Sequence, residues 1–279
     1  PTDQRHTVNQ TAAVTQFNRH HWEDGKLHAA SPDSVVTEEP LEIRLRGQSI
    51  AITMRTPGHD DELTAGFLFS ENILRQRTDL VEVAYCHDTP AESRGNIINV
   101  FVSPKCPFQP SQFERHFFTS SSCGVCGRAA IEQIQSHHPP LQEDVVKFPG
   151  AILNQLPDRL RRAQNTFEKT GGAHGAALFD ATGKLMVSRE DVGRHNAVDK
   201  VLGHAFLNEL PTTNSVLLVS GRVSFEITQK ALAGRIPLIA AISAPSSLAV
   251  QCADENNQTL VAFLRDNTMN IYAGAQRIT

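Results

Sequence analysis

The second half of the chain repeats one pattern, a short apolar run followed by an amphipathic segment, and this pattern constrains the fold most strongly. From Gly171 onward it predicts five strands, at residues 176–180, 184–190, 215–220, 237–243 and 259–264. It also predicts intervening helices at residues 194–203, 224–234 and 246–254. Because strands joined through helices lie parallel, and continuously apolar strands are buried on both faces, we expect a hairpin followed by a largely parallel sheet covered by helices.

The first half of the chain predicts a smaller α+β unit. Alternation of apolar and polar residues at 39–54 is typical of an antiparallel hairpin, and residues 80–86 and 96–103 add two strands. A buried helix is expected to begin near His59. Its acidic first turn complements the helix dipole, which is a simpler explanation than metal binding.

Domain boundaries follow from changes in composition. Residues 1–30 are polar and lack sustained periodicity, which predicts a loosely held arm. Pro139 and Pro140 indicate a junction between an α+β domain, residues 31–140, and an α/β domain, residues 141–279. A helix from Leu153 to about Glu168 is expected to open the second domain.

Composition excludes several classes of protein. The chain has 279 residues, enough for two domains, and its net charge of -4 gives no basic field for nucleic acid. No apolar run reaches the roughly 18 to 20 residues of a membrane span, and the first residues do not resemble a signal peptide. Five cysteines without a regular framework fit a reducing cytoplasm better than a secreted protein. We therefore expect a cytoplasmic protein with free thiols.

Residues 119–128, TSSSCGVCGR, place two thiols at C-x-x-C spacing in a Ser- and Gly-rich stretch that predicts a mobile loop. Structural zinc would need a second ligand pair, whereas Cys86, Cys106 and Cys252 stand alone. A thioredoxin-like pair would lie between a strand and a helix near the chain start, and the hydroxyl-rich sequence before Cys123 argues against that placement. Arg128 and a helix predicted to begin there would stabilise a thiolate, which favours a nucleophile that carries a group. Zinc binding and two inert thiols remain alternatives.

Glycines, hydroxyls and cations lie where the predicted strands of the second domain begin or end. The segments are residues 170–175 (TGGAHG), 190–196 (EDVGRHN) and 220–226 (SGRVSFE). Backbone N–H groups of such turns, together with Arg194 and Arg222, would suit phosphate groups. The alternative is structural: the glycines would make tight turns, and Asp191 would cap the helix that carries Arg194 and His195. No P-loop or G-x-G-x-x-G spacing is present.

Five segments occur in a distinctive order: residues 59–68 (HDDELTAGFL), 123–127 (CGVCG), 170–174 (TGGAH), 190–200 (EDVGRHNAVDK) and 220–222 (SGR). Together they resemble the formate dehydrogenase accessory sulfurtransferase family, FdhD. The resemblance covers nearly the whole chain beyond the N-terminal arm.

The resemblance implies a low-turnover sulfurtransferase that acts through a cysteine persulfide. It would accept persulfide sulfur from an L-cysteine desulfurase and deliver it to the molybdenum or tungsten bis-pterin guanine dinucleotide cofactor, as formate dehydrogenase activity requires. The persulfide would form on Cys123, and Cys126 matches the second cysteine of the family motif. A homodimer without an intrinsic metal is also implied.

The resemblance also implies a fold and a cofactor-binding segment. The second domain would be a three-layer domain with a mixed sheet, similar to cytidine deaminases, and the predicted strand order agrees. The family's cofactor-binding segment falls on Phe263, Leu264, Arg265, Asp266, Asn267 and Thr268. Gly172, His174, Arg194 and Arg222 would help to hold the guanine nucleotide and pterin phosphates, and a guanine nucleotide should mimic the cofactor.

Two other hypotheses belong to different functional classes. One is a chaperone that binds the cofactor for formate dehydrogenase maturation, with structural or redox-sensing cysteines. The other is a zinc deaminase relative acting on nucleotides, with His195 near the position of a first zinc ligand. Residues 220–222, SGR, replace the Pro-Cys-x-x-Cys of deaminases, so thiolate ligands for that zinc are lacking.

Overall fold

The computed structural model describes residues 12–87, 89–90, 93–106, 138–142 and 146–279. Its first element is a long hairpin built from β1 (Val14–Arg19), β2 (Trp22–Glu23), β3 (Lys26–Leu27) and β4 (Ser31–Val36). β1 pairs antiparallel with β4, and β2 pairs with β3. Residues 1–30 were expected to form a loosely held arm; residues 1–11 lie outside the described residues, and most of residues 14–27 lie in these strands instead. The sequence of this hairpin does not alternate between apolar and polar residues, because most side chains on both of its faces are exposed.

The first half of the chain contains a four-stranded sheet in the order β6-β5-β8-β7, covered by one helix. Its elements are β5 (Glu39–Leu45), β6 (Gln48–Arg55), α1 (Asp60–Ser70), β7 (Leu80–Tyr85) and β8 (Ile97–Val102). Leu41, Ile43 and Leu45 alternate along β5 and pack with Leu63 and Leu68 of α1 in one buried cluster. The predicted hairpin, helix and two further strands are therefore confirmed.

The second half of the chain contains a six-stranded sheet in the order β10-β9-β11-β12-β13-β14. Its strands are β9 (His174–Asp180), β10 (Leu185–Asp191), β11 (Ser215–Val219), β12 (Leu238–Ala241), β13 (Thr259–Arg265) and β14 (Thr268–Ala273). β11, β12 and β13 lie parallel, whereas β9 runs antiparallel to β10 and to β11. The parallel core was predicted, but β14 was not. This antiparallel edge strand is mostly exposed and carries no continuous apolar run.

Helices cover both faces of this sheet. α2 (Gly150–Leu153), α3 (Leu156–Ala163) and α4 (Asn165–Thr170) precede it, and α5 (Arg194–Leu207), α6 (Phe225–Ala233) and α7 (Ser247–Glu255) connect its strands. Residues of α5, α6 and α7 pack against one face of the sheet, and residues of α2 and α3 pack against the other. The result is a three-layer α/β arrangement.

The single helix expected from Leu153 to about Glu168 is wrong. The backbone leaves the helical conformation at Gln164 (φ -90, ψ 76), whose side chain is buried against Gly175. The tertiary contact thus replaces one long helix with short segments. None of the described helices is both long enough and apolar enough to cross a membrane.

α1, which packs on the smaller sheet, and α5, which packs on the larger sheet, meet at a close helix crossing. A methyl group on Gly66 would overlap the carbonyl oxygen of Asp199, and one on Gly203 would overlap the carbonyl oxygen of Glu62. Both overlaps involve backbone atoms, which cannot move aside as a flexible side chain would. The crossing therefore requires glycine on both helices.

We expect Gly203→Ala to lower the free energy of unfolding by about 1–3 kcal/mol, because overpacking forces the two helices apart. Urea denaturation of the purified protein measures this change. Ser247→Ala, at an exposed position of α7, is the matched control and should have little effect. A Gly203→Ala protein as stable as this control would contradict the described crossing.

Candidate functional site

Several strands of the larger sheet begin or end at the same edge of that sheet, and their chemically active residues lie there. β11, β12 and β13 end there, and β9 begins there because it runs the opposite way. His174 at the start of β9 pairs with Asp191 at the end of β10, and the N–H of Ser220 donates to the carbonyl of Gly175. The segments singled out by sequence at residues 170–175, 190–196 and 220–226 therefore meet, as predicted.

A group of cationic and imidazole side chains forms the centre of this edge. A Cβ atom on Gly221 would lie 3.2 Å from His174 Nδ1 and 3.6 Å from Arg194 Cβ, which places these residues against the 220–222 turn. Burial lowers the pKa of His174, and the positive charges of Arg194 and Arg222 lower it further. Two guanidinium groups thus act on one neutral imidazole.

Arg194 also carries a buried donor that the protein does not use. Its Nε atom has no hydrogen-bond partner among the residues that the structure describes. Buried donors are usually paired, so an acceptor at this position would satisfy it. The arrangement suits an anion with several oxygen atoms, and phosphate is such a group.

His195 lies beside this centre but points to a different pair of residues. Its Nε2 atom is 2.9 Å from Ser224 Oγ and 3.7 Å from Glu226 Oε2. Burial lowers the pKa of His195 to about 4, with a further contribution from the charge of Arg194, so the imidazole is neutral at neutral pH. His195 is therefore a hydrogen-bonding group and does not add to the positive charge.

The described ranges contain no group of three His, Cys, Asp or Glu side chains arranged to hold a metal ion. Two acidic residues in the first turn of α1 form ion pairs with arginines. Asp60 pairs with Arg55 at 2.8 Å, and Glu62 pairs with Arg189. These carboxylates therefore contribute to ion pairs within the fold.

Residues 190–200 mainly hold the backbone at this edge of the sheet in place. Asp191 is fully buried, and its Oδ1 atom accepts from the N–H of Gly193 and from Asn196 Nδ2. Its Oδ2 atom lies 2.7 Å from Lys200 Nζ and accepts from the N–H of Thr56 at 3.1 Å. Asp191 thus orders the backbone ahead of α5 through Gly193, although α5 has no side-chain cap of its own.

The segment at residues 263–268 begins at the edge and then turns away from it. The N–H of Phe263 donates to the carbonyl of Ser243, in the loop after β12, and the side chain of Leu264 is fully buried in the core. The Arg265 guanidinium lies 5.9 Å from the centre of the Phe263 ring. Asp266 and Asn267 form the turn, and Thr268 begins β14. Within residues 263–268, Phe263 and Arg265 are the residues that lie near the strand ends.

Gly172 lies just ahead of β9 and against the N-terminal hairpin. A Cβ atom there would meet Val36 Cγ1 at 3.0 Å. This close approach favours glycine at position 172 for packing alone, independently of its predicted role in ligand binding.

The thiols predicted to be reactive, Cys123 and Cys126, lie outside the described residues. Of the other cysteines, Cys106 and Cys252 are buried and Cys86 is partly buried. Burial raises the pKa of Cys252, which disfavours its reactive thiolate.

The fold and site together define a class: an α/β protein with two main sheets, in which His174 and the guanidinium groups of Arg194 and Arg222 meet at the strand ends of the larger sheet. Residues 36–279 match the model of the FdhD/NarQ family. The chain therefore belongs to the FdhD/NarQ family.

Individual relatives agree with this assignment. A sulfur carrier protein FdhD from Streptomyces coelicolor is 50% identical over 260 residues, which cover 91% of this chain and 92% of the relative. One from Mycobacterium tuberculosis is 48% identical over 257 residues, covering 89% and 92% respectively. A crystal structure from Desulfotalea psychrophila, described as a putative formate dehydrogenase accessory protein, matches with a TM-score of 0.75 at 25% identity. That match covers 96% of this chain and 100% of the other.

Proposed function

We propose that this protein is a sulfur carrier that delivers persulfide sulfur for the maturation of formate dehydrogenase. Family membership supports sulfur carriage, since several relatives bear the name sulfur carrier protein. The cationic edge with its unused Arg194 donor is the observation that supports a bound anionic acceptor.

The loading step requires one nucleophile, and we assign it to Cys123. Its thiolate attacks the terminal sulfur of a persulfide on an L-cysteine desulfurase. A new S–S bond forms on Cys123, the S–S bond of the donor breaks, and the donor cysteine leaves as a thiolate. Cys126, beyond the intervening Gly124 and Val125, is the second thiol of the motif.

The acceptor is proposed to be the molybdenum or tungsten bis-pterin guanine dinucleotide, bound as a substrate. Its phosphate groups would lie at the edge, against Arg194, Arg222 and His174. The backbone at Phe263 and the side chain of Arg265 would extend this surface along the end of β13. A substrate held at a fixed position would present its metal to the incoming sulfur in a defined geometry.

The remaining parts of the proposal follow from the family and the sheet order. We propose that the protein works in the cytoplasm as a homodimer and contacts both the desulfurase and formate dehydrogenase. The mixed order of the larger sheet supports a cytidine-deaminase-like second domain.

A chaperone that binds the cofactor without transferring sulfur is the second candidate. The cationic edge would serve it equally well, because anion binding does not require a thiol. The two functions differ in one respect only, the need for Cys123. A variant that lacks this thiol should retain nucleotide binding under both hypotheses and lose function under the first alone.

Nucleotide binding tests the proposed acceptor site. We expect Arg222→Ala to weaken GDP binding about tenfold or more, because it removes an exposed cation that would contact phosphate. Isothermal titration calorimetry at fixed salt gives the Kd. Arg162→Ala, which removes an exposed arginine from α3, is the matched control and should bind GDP as the wild type does. Equal loss in both variants would assign the effect to overall charge and contradict the site.

A further inference from the structure

We propose that Thr56, which follows the last residue of β6 in the smaller sheet, is a positioning residue for the anion site on the larger sheet. The proposal rests on the acceptor site put forward under Proposed function. It concerns a residue that is not itself at the edge, and no sequence motif singled it out.

Thr56 uses all three of its polar groups to hold the chain that leads into α5. Its N–H donates to Asp191 Oδ2 at 3.1 Å, and its Oγ1 accepts from the N–H of Val192 at 3.0 Å. Its carbonyl accepts from Lys200 Nζ at 2.8 Å. Thr56 is only 2% exposed, so water does not compete for these bonds.

The neighbouring residues reinforce the same attachment. Asn196 Nδ2 donates to the carbonyl of Met54 at 2.7 Å, and Thr53 Oγ1 donates to Asn196 Oδ1 at 3.2 Å. The end of β6 therefore binds the chain both before and after Arg194.

This attachment fixes the residues that form the site. Val192 lies shortly before Arg194, and Asp191 is the strand partner of His174. If the Val192 N–H lost its acceptor, the turn that sets the direction of Arg194 would be free to shift. Ligand binding depends on such placement, because a small displacement of a charged group weakens each of its contacts.

Thr56→Val tests the role because it removes Oγ1 and retains the shape of the side chain. We expect GDP binding to weaken roughly fivefold to tenfold, and Thr56→Ser, which keeps the hydroxyl, to restore it. Hydrogen exchange of the Val192 amide in the ligand-free protein should become faster in Thr56→Val and return in Thr56→Ser. That exchange measurement does not depend on the ligand.

Ser70→Ala is the matched control. Ser70 is buried and also links the two domains, through contacts of its Oγ with Asp199 Oδ1 at 3.3 Å and with Lys230 Nζ at 3.0 Å. These contacts lie at the α1–α5 crossing and do not involve residues 190–196. Ser70→Ala should lower the melting temperature while leaving the Kd for GDP and the exchange of Val192 unchanged.

The outcomes separate the two proposals. Wild-type affinity in Thr56→Val, or an equal loss in Ser70→Ala, would overturn the positioning role and leave the acceptor site standing. A wild-type protein that does not bind GDP would contradict the acceptor site itself, and the positioning role would fall with it.

Discussion

Replacing Asp191 with asparagine is expected to lower the free energy of unfolding by about 3–5 kcal/mol, the largest stability change predicted for this protein. Asp191 and Lys200 are 0% and 1% exposed, and their charged atoms lie 2.7 Å apart. The neutral amide of an asparagine would leave the Lys200 ammonium buried without a negative partner. A single buried charge of this kind costs far more than the intact pair contributes.

Replacing the other member of the pair, Lys200, should lower the free energy of unfolding less than Asp191→Asn does. Lys200→Met removes the cation, but Asp191 retains donors from Gly193, Asn196 and the N–H of Thr56. The double variant Asp191→Asn with Lys200→Met removes both charges and should recover much of the loss. Urea denaturation of the two single variants and the double variant gives the coupling directly. Additive losses in the double variant would contradict a buried, mutually dependent pair.

The strands of the larger sheet could be predicted because they are buried on both faces. Residues 215–220 were expected to form a strand, and the structure has Ser215–Val219. Their apolar runs are continuous and bounded by turn residues, so the pattern is unambiguous. The meeting of His174, Arg194 and Arg222 followed from the same reasoning, since each stands where a predicted strand begins or ends.

Other features depend on contacts that local sequence does not encode. The hairpin over residues 14–36 and the edge strand β14 are mostly exposed, which leaves little periodicity to detect. The hydrogen bond between Thr56 and Asp191 joins residues 135 positions apart. Asp191, Asn196 and Lys200 are therefore prominent in the motif but act mainly through their contacts with the end of β6, whereas Arg194 carries an unused donor near the strand ends.

The second large effect concerns sulfur chemistry. Cys123→Ala is expected to abolish sulfur loading, because alanine has no thiol to accept the sulfane sulfur. GDP binding should remain, since the cationic residues are unchanged. Cys252→Ala is the matched control: Cys252 is buried, and its raised pKa disfavours the thiolate, so loading should persist. Loading that persists in Cys123→Ala would refute the assignment of the carrier residue.

The most direct test of sulfur carriage is the intact mass of the protein after incubation with a cysteine desulfurase and L-cysteine. We predict an adduct of about 32 Da, one sulfur atom, that disappears with reductant and is absent from Cys123→Ala. A wild-type protein that gains no such mass would contradict the sulfur-carrier function and favour the cofactor chaperone.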